Sequence, residues 1–265
     1  MRHFRLIQKV KENYTLRKAL HHLWNDKFLI KSHFIDGYKI YFNLGRNLGF
    51  LNKKKIIIEK NISLKFLELI SEDFLIFDIG ANIGYYTILF SSITKKGSGR
   101  VIAVEPDIYN QKILEKNIEL NKLPNVTLLK KALSNQVGSK IFYQDESTGQ
   151  TSSLLKNIWH PNSTKLVQTR VDSITLDMVT ELYGVPDLIK CDVEGAEVLV
   201  LEGGINTLKK KPIILMEVKS KNKEIVYKIL NENNYYFTNA DISTNSTTIE
   251  KGNSDYSNYL CFPIK

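Results

Sequence analysis

Three acidic residues follow short, mainly apolar stretches of the chain. Asp78 comes directly after FLIF, Glu105 after VIAV and Asp192 after LIKC. Apolar runs of this length are typical of central parallel strands that are covered by helices on both faces. Because the carboxyl ends of such strands meet at one edge of the sheet, where open α/β sheets bind ligands, we expect the three carboxylates to surround one pocket.

The turn after the first of these strands, D-I-G-A-N-I-G at residues 78–84, predicts a ligand contact. Gly80 and Gly84 allow a ligand to approach the backbone, and Asn82 lies between them. The spacing differs from the G-x-G-x-x-G motif that binds a pyrophosphate, and the carboxylate of Asp78 would repel one. The turn therefore favours a cationic or neutral ligand, although a structural turn with a helix N-cap is the alternative.

The second motif, E-P-D, begins at Glu105, which follows Asp78 by 27 positions, about the length of one strand–helix–strand unit. A carboxylate at this point can accept hydrogen bonds from both hydroxyls of a ribose, and Pro106 and Asp107 complete the same turn. S-adenosylmethionine (SAM) carries an ammonium, a sulfonium and a ribose but no phosphate. The two carboxylates therefore predict SAM as the cofactor.

The ordered motifs D-I-G-A-N-I-G-Y-Y-T, V-E-P-D and K-C-D-V-E-G-A-E resemble those of the FkbM family of class I SAM-dependent methyltransferases, over roughly residues 55–220. The resemblance implies an α/β, Rossmann-like fold: a mostly parallel seven-stranded sheet with helices on both faces and an antiparallel edge strand. It also implies that Ala132 and Leu133, at the end of the third strand, flank the adenine. An apolar strand end is equally consistent with a place in the hydrophobic core.

Hydrophobic periodicity and turn residues predict the other elements. An amphipathic helix is expected over residues 4–29, and a hairpin over 33–43 around the Asp36–Gly37 turn. Ser63 is a candidate N-cap for a helix at 61–70. Further helices are expected at 108–120 and from residue 196, and further strands at 126–129, 212–218, 235–237 and 258–263.

Asp192 is the first candidate for the catalytic base that accepts a proton from the acceptor hydroxyl. Glu194 follows it in the same turn, and His160 is a weaker candidate from a long polar loop at residues 144–165, which is expected to act as a lid or binding loop. His160 is otherwise a packing or solvent-exposed residue. We expect no metal, although Asp192, Glu194 and Glu217 could together hold Mg²⁺.

The charge of the 265-residue chain is unevenly distributed. Residues 1–72 contain 15 Lys or Arg and 6 Asp or Glu, whereas residues 73–265 contain 22 of each, so the whole net charge of +9 lies in the N-terminal quarter. We expect a basic helix and hairpin extension over 1–72 and a methyltransferase domain over 73–265. Residues 1–31 could bind an anionic membrane surface or form a solvated basic face.

The remaining composition indicates a protein of the reducing cytoplasm. Cys191 and Cys261 form neither a disulfide framework nor a metal-binding spacing. Residues 1–30 lack the continuous apolar core of a signal peptide, and no apolar stretch approaches the length of a membrane span. A location in the cytoplasm or at the inner surface of the membrane is therefore expected.

The resemblance implies transfer of a methyl group from SAM to a hydroxyl, with a sugar of a surface polysaccharide or glycolipid as the expected acceptor. Methylation of RNA is the alternative that the basic N-terminus suggests, but the chain has no Asn-Pro-Pro-Tyr-like motif and no recognisable RNA-binding module, so nucleic acid is not favoured. A non-catalytic SAM-binding protein is a third alternative. The sequence determines neither the acceptor nor the oligomeric state.

Overall fold

A computed structural model of the protein describes residues 29–33, 37–43, 60–145, 152–156, 166–240 and 256–264. The N-terminal helix predicted over residues 4–29 lies outside these ranges, apart from Leu29, which begins a strand. The strands are β1 (Leu29–His33), β2 (Lys39–Asn43), β3 (Leu75–Ile79), β4 (Arg100–Val104), β5 (Val126–Leu129), β6 (Ala132–Leu133), β7 (Gly138–Asp145), β8 (Leu166–Ile174), β9 (Leu188–Cys191), β10 (Ile213–Lys219), β11 (Tyr235–Asn239) and β12 (Tyr256–Pro263). The helices are α1 (Lys60–Leu69), α2 (Tyr85–Thr94), α3 (Ile108–Asn121), α4 (Leu176–Tyr183), α5 (Glu197–Glu202), α6 (Ile205–Lys209) and α7 (Lys223–Glu232), with a 3₁₀ turn at Ser220–Asn222.

Seven strands form the central sheet of the described ranges, in the order β11-β12-β10-β9-β3-β4-β5. β12 runs antiparallel to both of its neighbours, while the strands from β10 to β5 are parallel to one another. This topology confirms the predicted Rossmann-like fold with its antiparallel edge. β4 and β9 flank β3, so the turns that follow these three strands are neighbours at one edge of the sheet.

Apolar clusters cover both faces of the sheet, as expected for buried parallel strands. Ile76 of β3 belongs to one cluster and its neighbour Phe77 to the other, because successive strand residues point to opposite faces. The cluster of Ile76 also contains Ile40 and Phe42 of β2. The hairpin thus packs on the same core as the sheet.

The hairpin is also hydrogen-bonded to α3. The fully buried side chain of Asn117 accepts from the backbone N–H of Tyr41 (2.6 Å) and donates to the carbonyl oxygens of Tyr41 (3.0 Å) and Ile83 (2.7 Å). Asn121, one helical turn later, makes the same pair of bonds with the backbone of Lys39. The two side-chain amides therefore satisfy backbone N–H and carbonyl groups of β2 that a neighbouring strand would otherwise bind.

The elements predicted within the described ranges are largely confirmed. The hairpin, the helices at 61–70 and 108–120, and the predicted strands have counterparts whose ends differ by a few residues. Ser63 is not an N-cap, since α1 begins at Lys60, and its hydroxyl lies 3.3 Å from that of Tyr85. β6, β8 and β7 form a separate three-stranded sheet that the sequence analysis did not predict.

The strand before the glycine turn does not end at Phe77 as expected. β3 continues through Asp78 to Ile79, because residue 78 pairs with Ala103 of β4 on one side and with Lys190 of β9 on the other. A charged residue can occupy this buried position since the lysine of the adjacent strand lies beside it.

The helices of the described ranges are short, and the longest, α3, has 14 residues. None of them combines the length and apolar character that crossing a bilayer requires. Most of the basic segment predicted to contact an anionic membrane surface, residues 1–28, lies outside the described ranges, and that contact stays a prediction.

Candidate functional site

A cavity lies beyond the carboxyl ends of β3, β4 and β9. The sequence-predicted residues that line it are Gly80, Asn82, Glu105, Pro106, Ala132, Leu133, Asp192 and Glu194. Asp78, Gly84 and Asp107 are not part of the lining, and His160 lies outside the described residues. The fold therefore brings the ends of three separate motifs to one cavity, with Glu105 on one side and Asp192 on the other.

Asp78 is fully buried inside β3. The hydroxyl of Thr87 donates a 2.5 Å hydrogen bond to its Oδ2, and Lys190 Nζ lies 3.7 Å from its Oδ1. Burial raises the pKa of Asp78, while Lys190 and Thr87 act in the opposite direction. Its carboxyl group therefore faces a buried lysine, and direct contact with a cofactor stays a prediction.

Glu105 lies at the end of β4 and is almost completely buried. Its Oε2 accepts the backbone N–H of Asn82 (2.7 Å), and its Oε1 accepts that of Asp107 (2.8 Å). Burial raises the pKa of Glu105 to about 8, with a further contribution from the charge of Asp107, and the two N–H donors only partly oppose this. Glu105 thus connects the glycine turn after β3 with the E-P-D turn after β4.

Asp107 has a structural role in the same turn. Its Oδ1 caps α3 by accepting the N–H groups of Tyr109 (2.8 Å) and Asn110 (3.2 Å), as an N-cap aspartate does. Its Oδ2 accepts from the amide of Gln144 (2.9 Å) and the hydroxyl of Ser152 (3.3 Å). Asp107 therefore connects α3 with both ends of the segment between Gln144 and Ser152.

The two glycines of the first turn serve close packing. A Cβ on Gly80 would lie 1.8 Å from the carbonyl oxygen of Asp192, and one on Gly84 would lie 2.5 Å from a methyl carbon of Leu114. Both glycines also have positive φ, +74° and +94°. Gly80 thus allows contact between the turns after β3 and β9, whereas Gly84 allows α3 to approach the start of α2.

The opposite wall of the cavity is partly apolar. Ala132 and Leu133 form β6 and are buried, and Phe142 of β7 lies beside them in the lining. Sequence reasoning missed Phe142 because it missed β7, although the β-branched and aromatic run of residues 141–143 was a signal. An apolar wall with an aromatic ring suits a flat, weakly polar group such as adenine.

The turn after β9 supplies Asp192, whose side chain is about one-third exposed. Asp192 Oδ2 lies 3.5 Å from Lys190 Nζ, whereas Oδ1 has no hydrogen-bond partner among the described residues. Lys190 is 4% exposed and also donates to the carbonyl oxygen of Gly80 (3.1 Å). One buried ammonium group therefore lies between Asp78, Asp192 and the glycine turn.

Glu194 and Glu217 share a second lysine. Lys219 Nζ lies 2.8 Å from Glu194 and 2.9 Å from Glu217. Burial raises the pKa of Glu194 to about 7 and that of Glu217 to about 9, with the charge of Asp192 as the next cause, and the pKa of Lys219 is also raised by its two partners. Oxygen atoms of Asp192, Glu194 and Glu217 lie within 4.8 Å of one another, so the set considered for Mg²⁺ does come together.

Part of the predicted binding loop lies against the cavity. Ser153 exchanges two backbone hydrogen bonds with Tyr143 (2.8 and 3.0 Å), and its hydroxyl donates to the carbonyl oxygen of Val193 (3.3 Å). Ser152, Ser153 and Leu154 belong to the lining. Residues 152–156 therefore span from the Asp107 side of the cavity to the Asp192 side. The first two residues of the predicted loop, 144 and 145, instead belong to β7.

Lys190 and Lys219 were not recognised from the sequence. A lysine in the middle of the buried stretch LIKC was a signal, because a buried charge requires a partner. Lys219 gave a weaker signal, since a lysine at the end of a strand is commonly exposed.

The lining fits SAM in its chemistry. Glu105, Asp192 and Glu194 present carboxyl groups, which suit a cation and ribose hydroxyls, and the apolar wall suits adenine. The lining contains one basic residue, Lys131, whose Nζ lies 3.5 Å from Asp172. This composition is unfavourable to a phosphate-rich ligand.

A mainly parallel sheet with a glycine turn after β3 and acidic turns after β4 and β9 defines a Rossmann-like protein of the class I methyltransferase type. The pattern of the Methyltransferase FkbM domain matches residues 78–241. The chain belongs to this family and is a SAM-dependent methyltransferase.

Methyltransferase 1 of Beauveria bassiana is 26% identical over 188 residues, which cover 63% of this chain and 72% of that protein. Hexuronic acid methyltransferase AglP of Haloferax volcanii is 28% identical over 163 residues, covering 60% of this chain and 62% of that protein. The crystal structure of an FkbM methyltransferase from Methylobacillus flagellatus aligns with a TM-score of 0.48 and 17% identity, covering 72% of this chain. This chain spans 44% of that Methylobacillus chain and somewhat less than two thirds of AglP.

Proposed function

We propose that the protein transfers the methyl group of SAM to a hydroxyl of a sugar in a surface polysaccharide or glycolipid. The observation that carries the proposal is the two-sided cavity, which has Glu105 and an apolar wall on one side and Asp192 with Glu194 on the other. One side suits the nucleoside of the cofactor. The other suits the proton removal that a hydroxyl acceptor needs.

In this proposal Glu105 accepts hydrogen bonds from the ribose hydroxyls. Gly80, Asn82 and Pro106 line the adjacent part of the cavity, and Ala132 and Leu133 contact the adenine. When bound, the cofactor supplies an electrophilic methyl group on a sulfonium. The carboxylates around it favour that positive charge over a phosphate-containing competitor.

Asp192 is the proposed base, because its side chain lines the cavity and is about one-third exposed. A hydroxyl is a poor nucleophile until a base accepts its proton, and general base catalysis typically contributes a factor of roughly 10² to 10⁴. Glu194 is the second candidate. His160 stays a prediction, since it lies outside the described residues.

Two observations favour a sugar acceptor. AglP, one of the relatives, is a hexuronic acid methyltransferase. The loop segment beside the cavity presents Ser152 and Ser153, and small hydroxyl side chains suit the many hydrogen bonds that a sugar makes.

The test uses SAM labelled in its methyl group and three separate acceptor pools: a glucuronic-acid-bearing glycolipid, the glycolipid with neutral glucose in its place, and total RNA. We expect label in a glycolipid, and mass spectrometry of the product should show one added methyl group on a sugar hydroxyl. Label in RNA with none in either glycolipid would overturn the proposal. The two glycolipids distinguish an acidic sugar from sugars in general.

A further inference from the structure

The side chain of Lys190 is placed to control Asp192. It projects from β9 and is 4% exposed, and its Nζ lies 3.5 Å from Asp192 Oδ2, 3.7 Å from Asp78 Oδ1 and 3.1 Å from the carbonyl oxygen of Gly80. The ring of Tyr86 lies 5.3 Å from the same nitrogen. A buried ammonium requires such partners, so its position is fixed by groups on two strands and a helix.

Asp78 contacts this lysine, and Thr87 contacts Asp78. Asp78 pairs with Lys190 across the parallel register of β3 and β9, and the hydroxyl of Thr87 in α2 binds the other carboxylate oxygen. Both residues are completely buried. Asp78 is outside the cavity lining. Its carboxyl group therefore pairs with Lys190 and does not face the cavity.

The glycine turn does not depend on Lys190 in the same way. The N–H groups of Gly80 and Ala81 both donate to the carbonyl oxygen of Val104 (2.9 and 3.0 Å), which fixes the turn through the backbone. For the side chain of Asp192, by contrast, Lys190 is the ion-pair partner within the described ranges. Loss of Lys190 would therefore release Asp192 and leave the turn in place.

We propose that Lys190 is a positioning residue: held by Asp78, which in turn accepts a hydrogen bond from Thr87, it fixes the orientation in which the Asp192 carboxylate lines the cavity and meets the acceptor hydroxyl. The role of Asp192 as a base rests on the proposed function. The position of the Asp192 carboxylate is independent of the proposed function, and this position can be measured without an acceptor. In this arrangement Asp78 supports catalysis through Lys190 instead of contacting the cofactor.

The main test compares Lys190→Met with the double variant Asp78→Asn/Lys190→Met. The single variant leaves Asp78 buried without its cation, and we expect it to be destabilised. The double variant removes both charges of the buried pair, so we expect it to fold and melt near the wild type. Any change that the double variant shows at Asp192 is therefore due to the loss of positioning and not to a loss of stability.

The first readout is the ¹³C signal of the Asp192 carboxyl group in protein labelled at aspartate, assigned by its absence in Asp192→Asn. We expect the signal to move in the double variant towards that of an exposed aspartate, while affinity for S-adenosylhomocysteine in calorimetry changes by less than about threefold. An unmoved signal would overturn the inference. This arm stands even if no sugar accepts the methyl group.

The second readout is turnover on the glycolipid that the wild type methylates. We expect kcat of the double variant to fall by about tenfold or more with little change in the KM for SAM, because positioning acts in the transition state. Thr87→Val should lower kcat in the same direction by a smaller factor. Wild-type turnover in the double variant would show that the pair acts only in folding and would contradict the inference.

Discussion

The backbone of Gly80 is in direct contact with the backbone of Asp192. A Cβ at residue 80 would lie 1.8 Å from the carbonyl oxygen of Asp192, and Gly80 itself has a φ of +74°. The turn that follows β3 and the turn that follows β9 are thus packed without an intervening side chain. The distance between the two halves of the cavity is set by this contact.

Substitution of Gly80 by alanine should therefore be severe. The positive φ alone costs about 1 to 2 kcal/mol for a residue with a Cβ, and the clash with a backbone oxygen adds to it. We expect Gly80→Ala to lower the free energy of unfolding by about 3 kcal/mol or more in denaturant titrations. Gly37→Ala is the matched control, since Gly37 has φ of +84° but nothing within 4 Å of the added Cβ. Equal losses in the two variants would contradict the contact.

Glu105→Gln should weaken cofactor binding. Above the pKa of Glu105, about 8, its carboxylate can make charge-assisted hydrogen bonds with ribose hydroxyls worth about 1.5 to 3 kcal/mol each, so at such a pH a loss of about 10- to 100-fold in affinity for S-adenosylhomocysteine is expected. Calorimetry measures it directly. Glu115→Gln, a change at an exposed salt-bridged glutamate of α3, is the control and should bind as the wild type does.

Glu105 should also make stability depend on pH. Its pKa in the folded protein, about 8, lies above its ordinary value of 4.5, so between these values the folded state binds more protons than the unfolded state. The stabilisation is complete below pH 4.5 and is lost as the pH rises towards 8, with a slope of at most about 1.4 kcal/mol per pH unit. Denaturant titrations at several pH values should show a shallower decline in Glu105→Gln than in the wild type. Parallel curves would show that Glu105 does not carry this linkage.

Asp192→Asn should retain cofactor affinity and lose turnover. If Asp192 accepts the proton of the acceptor, kcat falls by a factor of roughly 10² to 10⁴, while calorimetry with S-adenosylhomocysteine gives an unchanged affinity. Asp172→Asn is the control, because Asp172 is exposed and its side chain contacts Lys131. Normal turnover in Asp192→Asn would move the role of base to Glu194 or His160.

Turnover should survive treatment with EDTA. Lys219 already contacts Glu194 and Glu217 at 2.8 and 2.9 Å, and thereby supplies the positive charge that a metal would bring to the carboxylates near Asp192. Activity that is lost in EDTA and restored by Mg²⁺ would replace this interpretation with a metal site.

Asn117→Leu should detach the hairpin from α3. The substitution keeps the size of the side chain but leaves the N–H of Tyr41 and the carbonyl oxygens of Tyr41 and Ile83 without this partner, and each buried group left unsatisfied costs about 1 to 3 kcal/mol. Hydrogen exchange at the Tyr41 amide should accelerate more than exchange in β3. Lys116→Leu, at the exposed neighbouring position of α3, should leave both rates unchanged.

The sequence was sufficient for the central sheet. The apolar runs before Glu105 and Asp192 and the glycine turn after β3 are local patterns that are set by burial on both faces and by backbone conformation. The order of β4, β3 and β9 followed from the usual topology of such sheets. The small sheet of β6, β7 and β8 was missed, because β7 and β8 mix polar and apolar residues without a regular alternation and are separated by a long polar stretch.

The sequence also selected most of the residues around the cavity, but not what each of them contacts. Its motifs identified Asp78, Glu105 and Asp192 as acidic groups near strand ends. Only the tertiary structure decided that Asp78 is buried against Lys190, that Asp107 caps α3 and holds Ser152, and that Lys219 joins Glu194 to Glu217. These pairings depend on the register of neighbouring strands and on side-chain direction across a distance of many residues. Spacing along the chain determines which residues reach the same edge of the sheet, whereas register and packing determine which atoms meet there.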